Sequence, residues 1–210
     1  MTTPLTKNYA LPACCFNRQL IFGMRKLILI VIIILLIISA SAASLFFSGR
    51  GKMSPRVLPE NNYPNNMKLT SPVFRHNGAF PKKFTCNGEG ANPALDISDV
   101  PDHAKSLALV LRDPDAVEGI FIHWLVWNID PKTEHIEVDS VPKGAVQGRN
   151  TDGKNEYTAP CPPSGTHRYI FTLYALDTRL NLPLSATVED LNVALDGHVT
   201  DKTDLLGLYR

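Results

Sequence analysis

Twelve consecutive apolar residues near the start of the chain, Leu27 to Ile38, set the strongest constraint on how it folds. A helix that is apolar on every side must be covered on every side, and a domain of this size has no layer to cover it. Arg25 and Lys26 precede the run, and small residues follow it at 39–43. The run is therefore predicted to lie outside the folded domain.

Two interpretations of this leader remain open. Read from Met24, it has the basic start, short apolar core and small-residue cleavage site of a bacterial signal peptide, with cleavage near Ala42-Ala43. Read from Met1, residues 27–47 supply about 20 largely apolar residues, enough to anchor the chain in a bilayer with its basic side inside. Both interpretations place the rest of the chain outside the cytoplasm, as a periplasmic or secreted protein or as a membrane-anchored one.

The remainder divides into a linker and one domain. Residues 48–66 are rich in Ser, Gly, Pro, Asn and basic side chains, and they cannot bury enough apolar surface to offset the entropy of ordering. Residues 67–210 are long enough for an independent core. A net charge of +1 without a basic stripe argues against a nucleic-acid partner.

Three apolar runs predict the central strands of this domain. They are Ser106 to Asp113, Ile120 to Ile129 and Thr166 to Leu176. The first alternates weakly and is rich in Leu and Val, whereas the other two are apolar on both faces, as expected of a covered strand. Glycine- and asparagine-rich loops separate the second from the third.

A helix is predicted after Thr187, a residue that favours the N-cap position, because apolar residues recur at helical spacing beyond it. Leu205 to Tyr209 is predicted to form a short last strand. The fold class is therefore mostly β, a β-rich α+β domain with one or two helices.

Four polar residues interrupt the apolar strands: Asp113, His123, His167 and Tyr169. Simple alternation places His123 on the face of Leu125 and Trp127, and puts His167 and Tyr169 together on one face. Buried polar groups need partners, so the set predicts either satisfied core residues or one binding site.

The chemistry of this set suits a small anion. Histidine and tyrosine donate hydrogen bonds, and histidine carries charge near neutral pH. Asp113 would orient a histidine or hold a ligand ammonium, so a zwitterionic head group also fits. Pro160, Pro162 and Pro163 suit a stiff, apolar wall.

Longer motifs make a family resemblance specific. The sequence DPDA, then HWLVWNI beginning ten residues after its first Asp, then GRNTDGKNEYTAPCPPSGTHRYIFTLYALD, resembles the phosphatidylethanolamine-binding protein family. The resemblance is strongest to its bacterial and archaeal, Raf kinase inhibitor-like branch, and it covers about residues 68–210. It implies a β-sandwich with a large central antiparallel sheet, one or two C-terminal helices and a small anion pocket near one end.

The resemblance also implies which residues form the pocket and what they bind. The ligand-binding residues carried over by motif are Asp113, His123, Pro162, Pro163, His167 and Tyr169, with Asp115 and Cys161 beside them. A phosphate-like anion or a phospholipid head group is the expected ligand, with no enzyme activity, cofactor or metal. Two alternatives remain: an inhibitor or regulator of a partner protein such as a protease or kinase, and a hydrolase that uses Asp113, His123 and His167.

Cys86 and Cys161 are the two cysteines of the domain. An even pair in an exported domain favours a disulfide, and the resemblance places both loops near the same end of the sheet. Two separate thiols remain the alternative. If the bond forms, it fixes the pocket wall at Pro162 and Pro163 and removes a candidate thiol nucleophile.

Overall fold

The computed structural model describes residues 63–210 and the single residue Ile32. The leader predicted over residues 1–47 and most of the linker predicted over 48–66 lie outside the described residues. In the part of the chain that is described, no helix is both long and apolar enough to cross a membrane. The domain boundaries and the leader therefore stay predictions.

The described residues form a β-rich domain with one α-helix, as the sequence predicts. In chain order the elements are β1 (Lys68–Thr70), β2 (Gly78–Ala79), a 3-10 turn (Lys82–Phe84), β3 (Leu95–Ser98), β4 (Ser106–Asp113), β5 (Phe121–Ile129), β6 (His135–Ile136), β7 (Val146–Gln147), β8 (His167–Leu176), α1 (Val188–Leu195) and β9 (Val199–Tyr209).

The strands are arranged in two sheets. A small sheet has the order β1-β3-β6, and a large one has the order β2-β9-β8-β4-β5-β7. The large sheet is antiparallel apart from β2, which pairs parallel to β9, so it is mixed rather than fully antiparallel. The predicted sandwich with a large central sheet is otherwise confirmed.

Two cores hold the layers together. The inner core lies between the two sheets and joins Leu95 and Ile97 of β3 to Leu109 of β4 and Phe171 of β8. The outer core joins the other face of the large sheet to α1 through residues such as Leu191. Because β4, β5 and β8 are covered on both faces, they are apolar over most of their length. Each fully buried leucine stabilises the fold by about 1.5–3 kcal/mol relative to exposure.

Strand β5 contains a bulge that changes the expected faces. His123 has no Cα partner in β4, although its neighbours on both sides do. An extra residue inverts the in–out alternation beyond it. Leu125 and Trp127 therefore pack in the outer core, whereas His123 lies against Tyr169 of the inner core, with ring centroids 5.4 Å apart. The prediction that His123 shares a face with Leu125 and Trp127 is wrong for this reason.

The last strand is much longer than the sequence predicts. Instead of Leu205 to Tyr209, β9 spans Val199–Tyr209 and pairs along almost all of β8. Its first half is polar, with Asp201 buried beside the main-chain N–H groups of Asn66 and Met67 (both 3.2 Å). Strand β9 is long because it pairs with the central strand β8, and not because its sequence has an apolar period.

Helix α1 begins where its cap predicts. The N–H of Thr187 donates to the Asp190 carboxylate at 2.9 Å, which satisfies a donor that the helix itself leaves free. Gly197, with φ of 76°, follows the helix and allows the left-handed turn that leads into β9. The helix packs on the outer face of the large sheet through Leu191 and Leu195.

Candidate functional site

The polar residues converge at one end of the large sheet. Asp113 is the last residue of β4, His123 lies near the start of β5, and His167 is the first residue of β8. Because neighbouring strands run antiparallel, the end of β4 and the starts of β5 and β8 meet at the same end of the sheet.

A cleft of about 630 Å³ opens there, within the size range of small-molecule sites. We call it the cleft; its lining residues are Asp113, Ala116, Val117, Glu118, Gly119, Ile120, Phe121, His123, Thr151, Asp152, Thr158, Ala159, Cys161, Pro162, Pro163, His167 and Tyr169. The structure thus brings all six predicted ligand-binding residues together. Whether they bind a ligand stays a prediction.

Asp113 and His167 form a buried pair. His167 Nδ1 lies 2.7 Å from Asp113 Oδ2, and the two side chains are only 8% and 5% exposed. The other carboxylate oxygen of Asp113 accepts the N–H of Asp115 at 2.8 Å. Since a carboxylate accepts, Nδ1 of His167 carries the proton. Asp113 therefore fixes the orientation of the His167 ring through Nδ1, and Nε2 is the ring nitrogen that this hydrogen bond does not use.

His123 is fixed by the main chain. Its Nδ1 lies 2.7 Å from the carbonyl oxygen of Thr158, and its carbonyl accepts the N–H of Thr158 at 2.9 Å. Because a carbonyl only accepts, Nδ1 donates and Nε2 is left without a hydrogen bond among the described residues. Burial lowers the pKa of His123, so the imidazole is neutral near pH 7.

Tyr169 stands between the two histidines. Its ring centroid is 5.4 Å from that of His123 and 6.4 Å from that of His167. The hydroxyl is buried yet makes no hydrogen bond of normal geometry with any described residue. Burial, and then the negative charge of Asp113, raises the pKa of Tyr169, so the hydroxyl keeps its proton and is a donor. A buried donor without an acceptor is costly and marks where a ligand oxygen would be favourable.

A disulfide between Cys86 and Cys161 holds the proline wall, with the Cα atoms 5.4 Å apart. The N–H of Cys86 also donates to the Pro160 carbonyl at 3.0 Å. In the described part of the chain, no hydrogen bond attaches residues 161–166 to their surroundings. The disulfide is therefore the anchor of Pro162 and Pro163.

Asp115, predicted beside the pocket, does not line it. Its carboxylate accepts Nε of Arg168 at 2.8 Å and a terminal nitrogen of the same guanidinium at 2.6 Å. This hydrogen-bonded guanidinium lowers the pKa of Asp115. The pair joins the DPDA turn to the start of β8.

Among the residues that the sequence did not predict, Asn150, Asp152 and Thr158 are joined by hydrogen bonds at the cleft. Asn150 is buried, and its Nδ2 donates to the Glu156 carbonyl and to Thr158 Oγ1, both at 2.9 Å. Thr158 Oγ1 in turn donates to Asp152 at 3.2 Å. Asn150 therefore holds the loop that positions His123, and only its place in the Gly- and Asn-rich segment signalled this.

The cleft residues do not form a metal centre. Among residues 63–210, no group of three or more His, Cys, Asp or Glu side chains is arranged to hold a metal ion. The arrangement instead offers a hydroxyl donor, two imidazole nitrogens and an apolar proline wall.

Comparisons with known proteins match most of the described part of the chain. The family model described as phosphatidylethanolamine-binding protein matches residues 70–210. A UPF0098 protein of Methanothermobacter thermautotrophicus is 45% identical over 149 residues, which cover 69% of this chain and 99% of the relative. A UPF0098 protein of Pyrococcus horikoshii is 44% identical, with coverage of 69% and 76%.

Solved structures give the same result. The crystal structure of a phosphatidylethanolamine-binding protein homologue from Chlamydia trachomatis has a TM-score of 0.67 and 42% identity, covering 70% of this chain and 99% of that one. YbcL of Escherichia coli, described as a member of the mammalian PEBP family, has a TM-score of 0.65 and 27% identity, with coverage of 69% and 98%.

Proposed function

The chain belongs to the phosphatidylethanolamine-binding protein family, and from this premise we propose that its cleft binds a small phosphate-like anion, such as a phospholipid head group, outside the cytoplasm. The role is binding rather than catalysis. The Cys86–Cys161 disulfide removes the thiol that a hydrolase would use as nucleophile, which favours binding over hydrolysis.

One observation carries the proposal: the buried Tyr169 hydroxyl makes no hydrogen bond of normal geometry, although burial, and then the nearby Asp113 carboxylate, raises its pKa. It lines the same cleft as two imidazoles whose Nδ1 atoms are already engaged. A phosphoryl oxygen would satisfy the hydroxyl, and a second oxygen would accept from a protonated Nε2. The proline wall suits the apolar part of such a ligand.

Binding is coupled to proton uptake. The Nε2 atom of neutral His123 is only an acceptor, so it donates to an anion only after protonation. A bound anion raises the pKa of this histidine above its value in the free protein. Affinity is therefore highest at low pH and falls as the pH rises towards the bound-state pKa, above which it is constant.

The decisive test is calorimetric titration with glycerophosphoethanolamine at pH 5.5, 7.0 and 8.5. A phosphodiester is chosen because its own charge does not change over this range. Wild type is expected to bind with modest affinity, most tightly at pH 5.5. Equal binding by a His123→Gln/His167→Gln double variant overturns the proposal.

The chain provides a matched control for that variant. His198 also pairs with a carboxylate, Asp177, at 2.8 Å, but this pair is about half exposed and lies outside the cleft. His198→Gln should bind like wild type, so a loss in this variant as well would indicate a general effect on the fold.

Export is tested separately by expressing the full chain in a bacterium. We expect either a mature protein that begins near Ala43 or a protein that pellets with membranes. A soluble cytoplasmic protein with its N-terminus intact contradicts both interpretations of the leader.

A further inference from the structure

The cleft has an unusual charge balance for an anion site. Its lining contains three carboxylates, Asp113, Glu118 and Asp152, and two histidines. No lysine or arginine is among the described residues that line it. Proteins that bind dianionic phosphate groups normally supply such fixed cations.

The available positive charge is small. His123 is neutral near pH 7 because burial disfavours its charged form. Any charge on His167 is matched by the carboxylate of Asp113 at 2.7 Å. The guanidinium of Arg168 is outside the lining and is engaged by Asp115 through two hydrogen bonds.

Asp152 is an exposed residue, but its carboxylate is held in place by the loop that lines the cleft. Its carboxylate accepts Thr158 Oγ1 at 3.2 Å, and Asn150 holds that hydroxyl with an amide donor at 2.9 Å. The same Thr158 anchors the His123 ring through its carbonyl. The charge of Asp152 acts on His123, since it opposes the fall in that pKa caused by burial.

Other charged groups near Asp152 also contribute to the net charge of the cleft. Asp113, Glu118 and His167 share the cleft lining, and Lys154 and Glu156 pair with each other at 3.2 Å in the loop that carries Asp152. None of the described ion pairs neutralises Asp152 or Glu118.

We propose that the cleft selects monoanionic phosphodiesters over dianionic phosphate monoesters, and that Asp152 is the residue that determines this selectivity. The inference rests on the proposed anion-binding function and narrows its substrate class. Tyr169 and a histidine Nε2 that takes up a proton on binding can satisfy the single charge of a diester. The second charge of a monoester would face Asp152 with no fixed cation to offset it.

The test compares dimethyl phosphate with methyl phosphate, which differ by one methyl group and, at pH 8, by one charge. Binding is followed by the chemical shifts of the histidine ring protons, which report weak ligands directly. At pH 8 we expect dimethyl phosphate to bind about fivefold more tightly. At pH 5, below the second phosphate pKa of about 6, methyl phosphate is a monoanion and the preference should largely vanish.

The Asp152→Asn variant removes the charge and keeps an oxygen that can accept from Thr158. Its preference at pH 8 should fall to about twofold or less, through tighter binding of methyl phosphate. Asp102→Asn is the matched control, since Asp102 is exposed and precedes β4 at the end away from Asp113. It should leave the preference unchanged.

The outcomes separate the two proposals. If neither phosphate perturbs the histidines of wild type at any pH, the anion-binding function itself fails. If both bind equally at pH 8, or methyl phosphate binds more tightly, anion binding stands and the diester selectivity is wrong. An unchanged preference in Asp152→Asn refutes the role of Asp152.

Discussion

Removal of the Cys86–Cys161 disulfide should lower the free energy of unfolding by about 4 kcal/mol. The bond joins residues 75 apart, and in the chain-entropy model a closed loop of that length restricts the unfolded chain by about this amount. Both cysteines are exposed, so replacement by serine leaves no buried cavity to add to the loss. For a domain of this size the corresponding fall in Tm is about 8–16 °C.

Urea titration of residues 63–210 as the oxidised wild type and as a Cys86→Ser/Cys161→Ser double variant measures the difference directly. Chemically reduced wild type is the control, and it should match the double variant. A loss below about 1 kcal/mol, with the wild-type bond verified by mass mapping, would refute the entropic reasoning. The same variant should bind dimethyl phosphate more weakly, because residues 161–166 lose their anchor.

Three further perturbations test the site and the core. Tyr169→Phe removes a buried hydroxyl that makes no hydrogen bond of normal geometry, although burial, and then the nearby Asp113 carboxylate, raises its pKa. Stability should change by no more than about 1 kcal/mol while affinity for glycerophosphoethanolamine falls about tenfold. A clear loss of stability in urea titration with unchanged affinity in calorimetry would show that the hydroxyl is structural. Burial lowers the pKa of His123, so the unfolded state binds its proton more readily and stability should fall as the pH drops below about 6.5. His123→Gln should lose this part of the slope in denaturation curves at pH 5.0–7.5, and an unchanged slope contradicts the assignment. Gly207→Ala places a methyl group 2.7 Å from a ring carbon of Phe80 and should cost about 1–3 kcal/mol by thermal unfolding, whereas a neutral effect would mean that the inner core yields easily.

The central strands could be predicted because they are covered on both faces. Strand β4 matches its predicted bounds, and β5 and β8 match to within one residue. The short strands were missed, since two to four residues are too few to show a period. The first half of β9 was missed because residues such as Asp201 and Asp204 are polar, and only pairing with β8 reveals it.

Six ligand-binding residues of the cleft were predicted from motifs, and the disulfide was one of two predicted alternatives, but the hydrogen bonds that position His123 were not predicted. Asp113 and His167 are conspicuous as polar residues in apolar strands. Thr158 positions His123 through its main-chain carbonyl, a group that every residue has, so its side-chain identity carries no signal. The bulge at His123 likewise depends on the pairing of β5 with β4, which alternation within one strand does not contain.

The lengths of the outermost strands bear on how the domain behaves when many copies are crowded together. Within residues 63–210, the two sheets end in β1, β2, β6 and β7, and none of these exceeds three residues. A long open edge presents unpaired N–H and C=O groups to which another chain can add a strand. Here the long apolar strands β4 and β8 are interior and pair with a long neighbour on each side. Lengthening one of these edge strands would therefore expose unpaired backbone groups and favour aggregation of the domain, even if both cores were unchanged.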